Sequence, residues 1–179
     1  AMSAGADQIY TARGPHIVEM LSREDIPVMC HLGLVPRKSS WRGGLRAIGK
    51  TAEEGLKLYN DFKTMENAGA FSAECEIIVE EVMIEISKKT SLITSSLGSG
   101  LSGDIIYLFQ NDICGEHENI PRHARAFGNV LKLKNEIYKE RVSSLESYKN
   151  SVENKSFPSG NELISINKEE LEKFKNLIR

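Results

Sequence analysis

The chain has 179 residues, one-domain size and enough to bury a real core, with 40% hydrophobic and 27% charged residues. Its 23 Lys+Arg against 25 Asp+Glu leave a net charge of −2, which argues against a general nucleic-acid binder, a class that presents a strongly basic surface. No run of 18 apolar residues exists, so a membrane-spanning helix is not expected, and residues 1–16 lack the basic and apolar regions of a signal peptide.

In chain order, helical and strand-like segments alternate. The opening Met2-Ser-Ala-Gly-Ala6 has the look of a last helical turn leaving through a glycine, followed by a strand over residues 7–11. The chain therefore reads as a piece of a larger α/β protein. Ile17, Met20 and Leu21 keep helical spacing and stop at Ile26-Pro27. Residues 28–35 form an apolar strand. Ala52, Leu56, Tyr59, Phe62 and Met65 mark one helix face, opened by a Thr51/Glu54 capping box and closed at Ala68-Gly69-Ala70. A strand over 71–78 precedes a helix carrying Val79, Val82, Met83 and Ile86, with Glu85 and Lys89 one turn apart. Strands follow at 92–97 and 105–109, then a polar loop over 111–119.

Pro121, placed for the first position of a helix, opens a long amphipathic segment through Phe127, Val130, Leu131, Ile137, Val142, Leu145 and Tyr148. Ser156-Phe-Pro-Ser-Gly160 breaks it, and 154–162 has the composition of a linker. Asn167, with Glu170 three residues on, caps a final helix bearing Leu171, Phe174, Leu177 and Ile178. Strands separated by helices imply parallel βαβ units, in either an open doubly wound sheet or a (β/α)8 barrel. The expected organisation is one domain over 1–179, with a partial barrel at 1–120 and C-terminal helices at 121–179.

His31, Glu76, Ser95-Ser96 and Asp112 all fall at or just past the C-terminal ends of the expected strands, the rim where both folds place their chemistry. In Glu74-Cys-Glu76 the alternation of a strand puts both carboxylates on one side. Glu76 suits a general base if burial raises its pKa, and equally a solvated strand-end carboxylate. His31 suits substrate binding, and equally a satisfied core histidine. Gly98-Ser-Gly100 resembles a loop that lets a ligand approach the backbone, without the rest of a phosphate loop. Arg37, Lys38, Arg42, Arg46 and Lys50 surround Trp41-Arg-Gly-Gly44, an anion-binding loop or a basic surface loop. His117 between Glu116 and Glu118 does not make a metal site, because adjacent residues rarely converge on one ion, and no metal ligand is assigned. Cys30, Cys75 and Cys114 lack zinc-site spacing, and read as buried thiols of a protein in a reducing cytoplasm.

His31-Leu-Gly-Leu-Val-Pro36, followed by Gly43-Gly44 and Gly49, resembles ketopantoate (3-methyl-2-oxobutanoate) hydroxymethyltransferases. Ala68-Gly-Ala70, Glu76, Gly98-Ser-Gly100, Asp104, Asp112 and Phe157-Pro158 keep that family's order. The resemblance covers nearly all of this chain and about the C-terminal two-thirds of the family's length.

It implies a (β/α)8 barrel of the phosphoenolpyruvate mutase and isocitrate lyase type, of which the last five βα units are present. Five units leave edges open for further strands or a partner chain. It also implies transfer of a one-carbon unit from 5,10-methylenetetrahydrofolate to 3-methyl-2-oxobutanoate in pantothenate biosynthesis, with magnesium holding the 2-oxo acid. Glu76 would be the general base and His31 a substrate-contacting residue. A homo-oligomer is expected, with neither nucleic acid nor membrane as partner.

Three departures stand beside the resemblance. The family's two metal-binding aspartates lie in the part not covered, Tyr10-Thr-Ala12 stands in place of Lys-x-Glu, and Ser96-Leu-Gly-Ser-Gly100 replaces Gly-Ile-Gly-Ala-Gly. An inactive barrel scaffold or binding protein, and a 2-oxo-acid carbon–carbon lyase of the related superfamily, remain as other readings.

Overall fold

A computed structural model describes residues 1–179, the side chain of Arg42 excepted. The chain forms two compact units, residues 1–128 and 129–179.

The first unit is an α/β structure. Its strands are β1 (Ile9–Thr11), β2 (Val28–Gly33), β3 (Ser72–Glu76), β4 (Ile93–Leu97) and β5 (Ile105–Ile106), and its main helices are α1 (Pro15–Ser22), α2 (Ala52–Asn67) and α3 (Glu80–Ser87). All neighbouring strands pair parallel, in the order β1-β2-β3-β4-β5. Order in space follows order in sequence, without the reversal that marks a doubly wound sheet.

Alternation sorts the sheet into two faces. Cys30 and Leu32 of β2 and Ala73 and Cys75 of β3 join one core with Val18 of α1, Leu58, Phe62 and Met65 of α2, and Met83 and Ile86 of α3. Helices α1 to α3 thus supply the core of that one face, the arrangement of a stretch of barrel wall. Phe62 is fully buried in this core, a burial that stabilises the fold by roughly 1.5–3 kcal/mol. The thiols of Cys30 and Cys75 are fully buried, and burial pushes Cys30 up to about 12 and Cys75 higher still. All three cysteines are free thiols.

The start of α2 follows the expected capping box, with a longer reach. Thr51 Oγ1 accepts the Glu54 N–H at 3.2 Å, while the Glu54 carboxylate accepts the N–H groups of Gly49 and Lys50 and pairs with Arg46. The Arg46 guanidinium, then the Lys50 N–H, hold Glu54 down near 2. One member of the basic cluster is therefore committed to closing the loop in front of α2.

Downstream of β4 the expected elements shift. The strand over 105–109 is only Ile105–Ile106, and the polar loop over 111–119 holds a short helix, α4 (Gln110–Cys114). Helix α5 does not start at Pro121; it spans Val130–Glu153, with Asn129 Oδ1 accepting the Lys132 N–H. The reason is tertiary. Phe127 and Gly128 both donate N–H groups to the Ile113 carbonyl, and a Cβ on Gly115 would lie 2.3 Å from the Gly128 oxygen. That close approach holds residues 127–128 against α4 and out of helical geometry. Asp112, expected on the rim, lies within α4.

The second unit holds α5, a short 3-10 turn at Gly160–Glu162 and α6 (Lys168–Leu177), capped as expected by Asn167, whose Oδ1 accepts the Glu169 N–H. Among the described residues no helix is long and apolar enough to cross a membrane.

The end of β2 is fixed by a contact that admits no side chain. Gly33 has φ +87°, and a Cβ there would meet the Glu76 carbonyl oxygen at 2.3 Å, while Leu34 N–H donates to that same oxygen at 2.8 Å. Gly33→Ala is expected to cost about 1–3 kcal/mol of stability, read from urea unfolding midpoints; a midpoint equal to the parent protein's would contradict this account of the β2–β3 junction.

Candidate functional site

The face of the sheet opposite the helices carries the polar residues. Parallel register sets His31 of β2 beside Glu74 of β3 and Ser95 of β4, and Gly33 beside Glu76. With a period of two, His31, Glu74, Glu76 and Ser95 share one face, as Tyr10 of β1 does. Together with Arg37, Tyr107 and Phe109 they line a cleft of about 670 Å³.

His31 is the centre of this site and is buried, 7% exposed. Its Nε2 lies 2.9 Å from Glu76 Oε2 and 2.8 Å from the Leu34 carbonyl oxygen. Its Nδ1 lies 2.5 Å from the Tyr10 hydroxyl and 3.4 Å from Glu74 Oε2. The Tyr10 hydroxyl donates to Glu74 Oε2.

These contacts fix the protons. Nε2 faces two acceptors and must carry a hydrogen. Tyr10 has one hydroxyl hydrogen and spends it on Glu74, so Nδ1 donates to the phenolic oxygen. Both ring nitrogens are then donors, and His31 is an imidazolium held between two carboxyl groups. Burial alone lowers the His31 pKa; the hydrogen bond to Glu76, the Glu74 charge and the Leu34 carbonyl overcome it and raise the value above the ordinary histidine range. Burial first, then the hydrogen bond to Glu74 and the nearby carboxylates, raises the Tyr10 phenol, so Tyr10 stays protonated at neutral pH. It supplies a neutral hydrogen-bond donor where a lysine would supply a fixed charge.

Of the residues expected at the rim, His31, Glu76 and Ser95 come together. Ser96 faces away: its hydroxyl donates to the Gly100 carbonyl and accepts the Ser99 N–H. The Gly98-Ser-Gly100 turn serves the chain itself. Ser99 is fully buried, donating its hydroxyl to the Cys75 carbonyl at 2.6 Å and accepting the Ile78 N–H at 2.8 Å. It ties the end of β4 to the end of β3 and leaves Glu76 supported from behind. In the basic segment Arg37 lies on the cleft and donates to the Ala12 carbonyl at 2.5 Å, whereas Trp41 is 83% exposed.

Two site residues escaped sequence reasoning in their roles. Tyr10 stood out only as a departure from a lysine, and Glu74 only as the same-side neighbour of Glu76. The legible signal was the alternation in Glu74-Cys-Glu76; the register with His31 was not written in the sequence.

The residues present do not make a magnesium site. Ala12 offers no ligand atom, His31 is already bonded to the carboxyl groups beside it, and among the described residues no group of three or more His, Cys, Asp or Glu side chains is placed to hold a metal ion.

Residues 2–160 match the sequence profile described as ketopantoate hydroxymethyltransferase. The chain is 34% identical to the 3-methyl-2-oxobutanoate hydroxymethyltransferase of Nitrosopumilus maritimus, over 99% of this chain and 62% of that protein. It is 34% identical to the enzyme of the same name from Pyrobaculum aerophilum, over 88% of this chain and 59% of that one, and 36% identical to that of Pyrobaculum islandicum, over 71% and 50%. The chain thus spans about three-fifths or less of the length of these relatives. With the His31 segment and Glu76 both inside the matched region and facing one cleft, the chain belongs to the ketopantoate hydroxymethyltransferase family.

Proposed function

We propose that this chain carries the general-base side of a hydroxymethyltransferase site acting on 3-methyl-2-oxobutanoate, with 5,10-methylenetetrahydrofolate as one-carbon donor, in pantothenate synthesis. The observation that supports it is Glu76 at the cleft, with its Oε2 held 2.9 Å from the Nε2 of a buried imidazolium. Glu76 removes the C3 proton of the 2-oxo acid, and the resulting enolate carbon bonds to the donor's methylene carbon as one of its C–N bonds breaks. Water supplies the product hydroxyl as the second C–N bond breaks and tetrahydrofolate leaves. His31 contacts the substrate through Nε2–H. An incoming substrate oxygen takes over that hydrogen bond and frees the Glu76 oxygen to act as base. Tyr10 and Glu74 keep the imidazolium charged and oriented while this exchange occurs.

In this reading the five strands are the last five of an eight-stranded barrel, and further strands lie along β1 and β5. The half-exposed Ile105, Ile106 and Phe109 at the β5 edge fit such a cover. The three free thiols suit a cytoplasmic setting. A second reading, a scaffold or binding protein without turnover, draws on Tyr10 and Ala12, which remove the family's fixed charge and a metal ligand.

Calorimetric titration with 3-methyl-2-oxobutanoate, with and without magnesium, separates the two. Binding followed by C3 proton exchange supports the enzyme, and no binding supports the scaffold. In the first case Glu76→Gln should lower C3 exchange by about 10²–10⁴-fold, measured by loss of the C3 proton signal in D₂O; exchange at the parent rate would remove Glu76 from the role of base.

The charge state of His31 is testable without turnover. Its imidazole should titrate above about 6.5 in the folded protein, and Glu74→Gln should lower that value, both read by NMR of the ring nitrogens. Because the folded pKa is raised, the stability contributed by His31 is full below about pH 6.5 and is lost as pH rises through the folded value. A neutral His31 at pH 6.5 would contradict the assigned proton positions.

A further inference from the structure

A 2-oxo acid is an anion at neutral pH, and the charged groups of the cleft, taken without Arg37, repel one. His31, Arg37, Glu74 and Glu76 are the charged side chains that line it. The imidazolium stands against two carboxylates, an excess of one negative charge. Its ring N–H groups are already engaged, at Nε2 by Glu76 and Leu34 and at Nδ1 by Tyr10. Tyr10 is neutral and donates its hydrogen to Glu74, while Ser95 and Tyr107 add only hydroxyl groups. Among the described residues no carboxylate pairs with Arg37, which leaves it as the cation of this cleft open to a ligand.

The position of Arg37 follows from strand register. Thr11 of β1 pairs with Cys30 of β2, so Ala12 comes level with His31, one strand away. A 3-10 segment, Pro36–Arg42, lies just past β2, and from its start Arg37 reaches back over β1, where its Nη2 donates to the Ala12 carbonyl at 2.5 Å. Adjacent strands lie about 4.7–4.9 Å apart, so the guanidinium stands within the span of a small acid from the imidazolium. The bond to Ala12 uses one of the five guanidinium N–H groups and leaves the rest for a ligand. Other cations of the same basic segment are placed elsewhere: Arg46 is bound to Glu54, and Lys38 lines a separate, smaller pocket.

We propose that Arg37 binds the carboxylate of the 2-oxo acid and makes the cleft selective for an anionic substrate; the assignment rests on the reading of this cleft as a 2-oxo-acid site. A guanidinium meets a carboxylate through two parallel N–H···O bonds, which fix orientation as well as charge. Strand β2 lies between β1 and β3, so Arg37 on the Ala12 carbonyl and Glu76 stand on opposite sides of His31. With the carboxylate on Arg37 and the adjacent keto oxygen on His31 Nε2–H, the acid lies across β2 and C3 turns toward Glu76, whose Oε2 is beside the same nitrogen. Because the Ala12 carbonyl already holds the guanidinium, little side-chain freedom is lost when the acid binds.

The test uses the full chain and two ligands of one shape, 3-methyl-2-oxobutanoate and its uncharged amide, titrated calorimetrically into the parent protein, Arg37→Gln and Arg37→Lys. Arg37→Gln should weaken binding of the acid roughly 10- to 100-fold and leave binding of the amide within about threefold. Arg37→Lys should recover part of the acid's affinity, because it restores the charge without the planar fork. Arg37 is exposed and its one bond goes to a backbone carbonyl, so urea midpoints should stay at the parent value in both variants. Parent-like binding of the acid by Arg37→Gln, or an equal loss of acid and amide, overturns the assignment and leaves the transferase reading in place. Loss of the acid alone, in a parent protein that binds it without C3 exchange, upholds Arg37 and overturns the transferase instead. A parent protein that binds neither ligand overturns both.

Discussion

A charged histidine buried between two carboxyl groups is an arrangement that fails if any member moves. His31 is held from both ring nitrogens, by Glu76 and Leu34 on one side and by Tyr10 on the other. Removing one partner of such a buried set leaves a charge out of water without compensation, which costs far more than the set contributes in net stability. The surrounding structure therefore has to keep β1, β2 and β3 in strict register. It does so with close backbone contact: Gly33 against the Glu76 carbonyl at the ends of β2 and β3, and the Ser99 hydroxyl bridging Cys75 and Ile78 just behind.

The sheet divides its labour by face. The side packed on α1, α2 and α3 holds small and apolar residues and accounts for the core, while the other side is free to carry Tyr10, His31, Glu74, Glu76 and Ser95. Parallel sheets are ordinarily covered on both faces. Here sequential strand order with helices along one face leaves the polar residues on the other, toward the strands' C-terminal ends where parallel α/β sheets collect their chemistry. Tyr10 fits the same face, because its phenol bridges Glu74 and His31.

Much of this was legible from local rules. Apolar spacing located α1, α2 and α3; Thr51 and Asn167 marked helix starts that the structure confirms; alternation put Glu74 and Glu76 on one face. The failures lie where long-range contacts override local preference. Pro121 is a sound helix opener, yet residues 127–128 are held on α4, and α5 waits for Asn129. Ser96 and Asp112 sit near strand ends in the sequence, yet Ser96 faces away from the cleft and Asp112 lies within α4, because which side of a short strand or turn faces the cleft depends on its neighbours.

The class of fold, the strand that carries His31, the carboxylates of β3 and the family to which they point were readable from the order of amino acids alone, since hydrophobic period, capping residues and motif spacing are properties of neighbouring residues. That His31 is held from both ring nitrogens, that Tyr10 and Glu74 share its hydrogen-bond network, and that the glycine turn after β4 is a brace became visible only in the folded arrangement. Those properties depend on contacts between residues 21 to 64 positions apart and on the exclusion of water around a charge, and no local pattern encodes either.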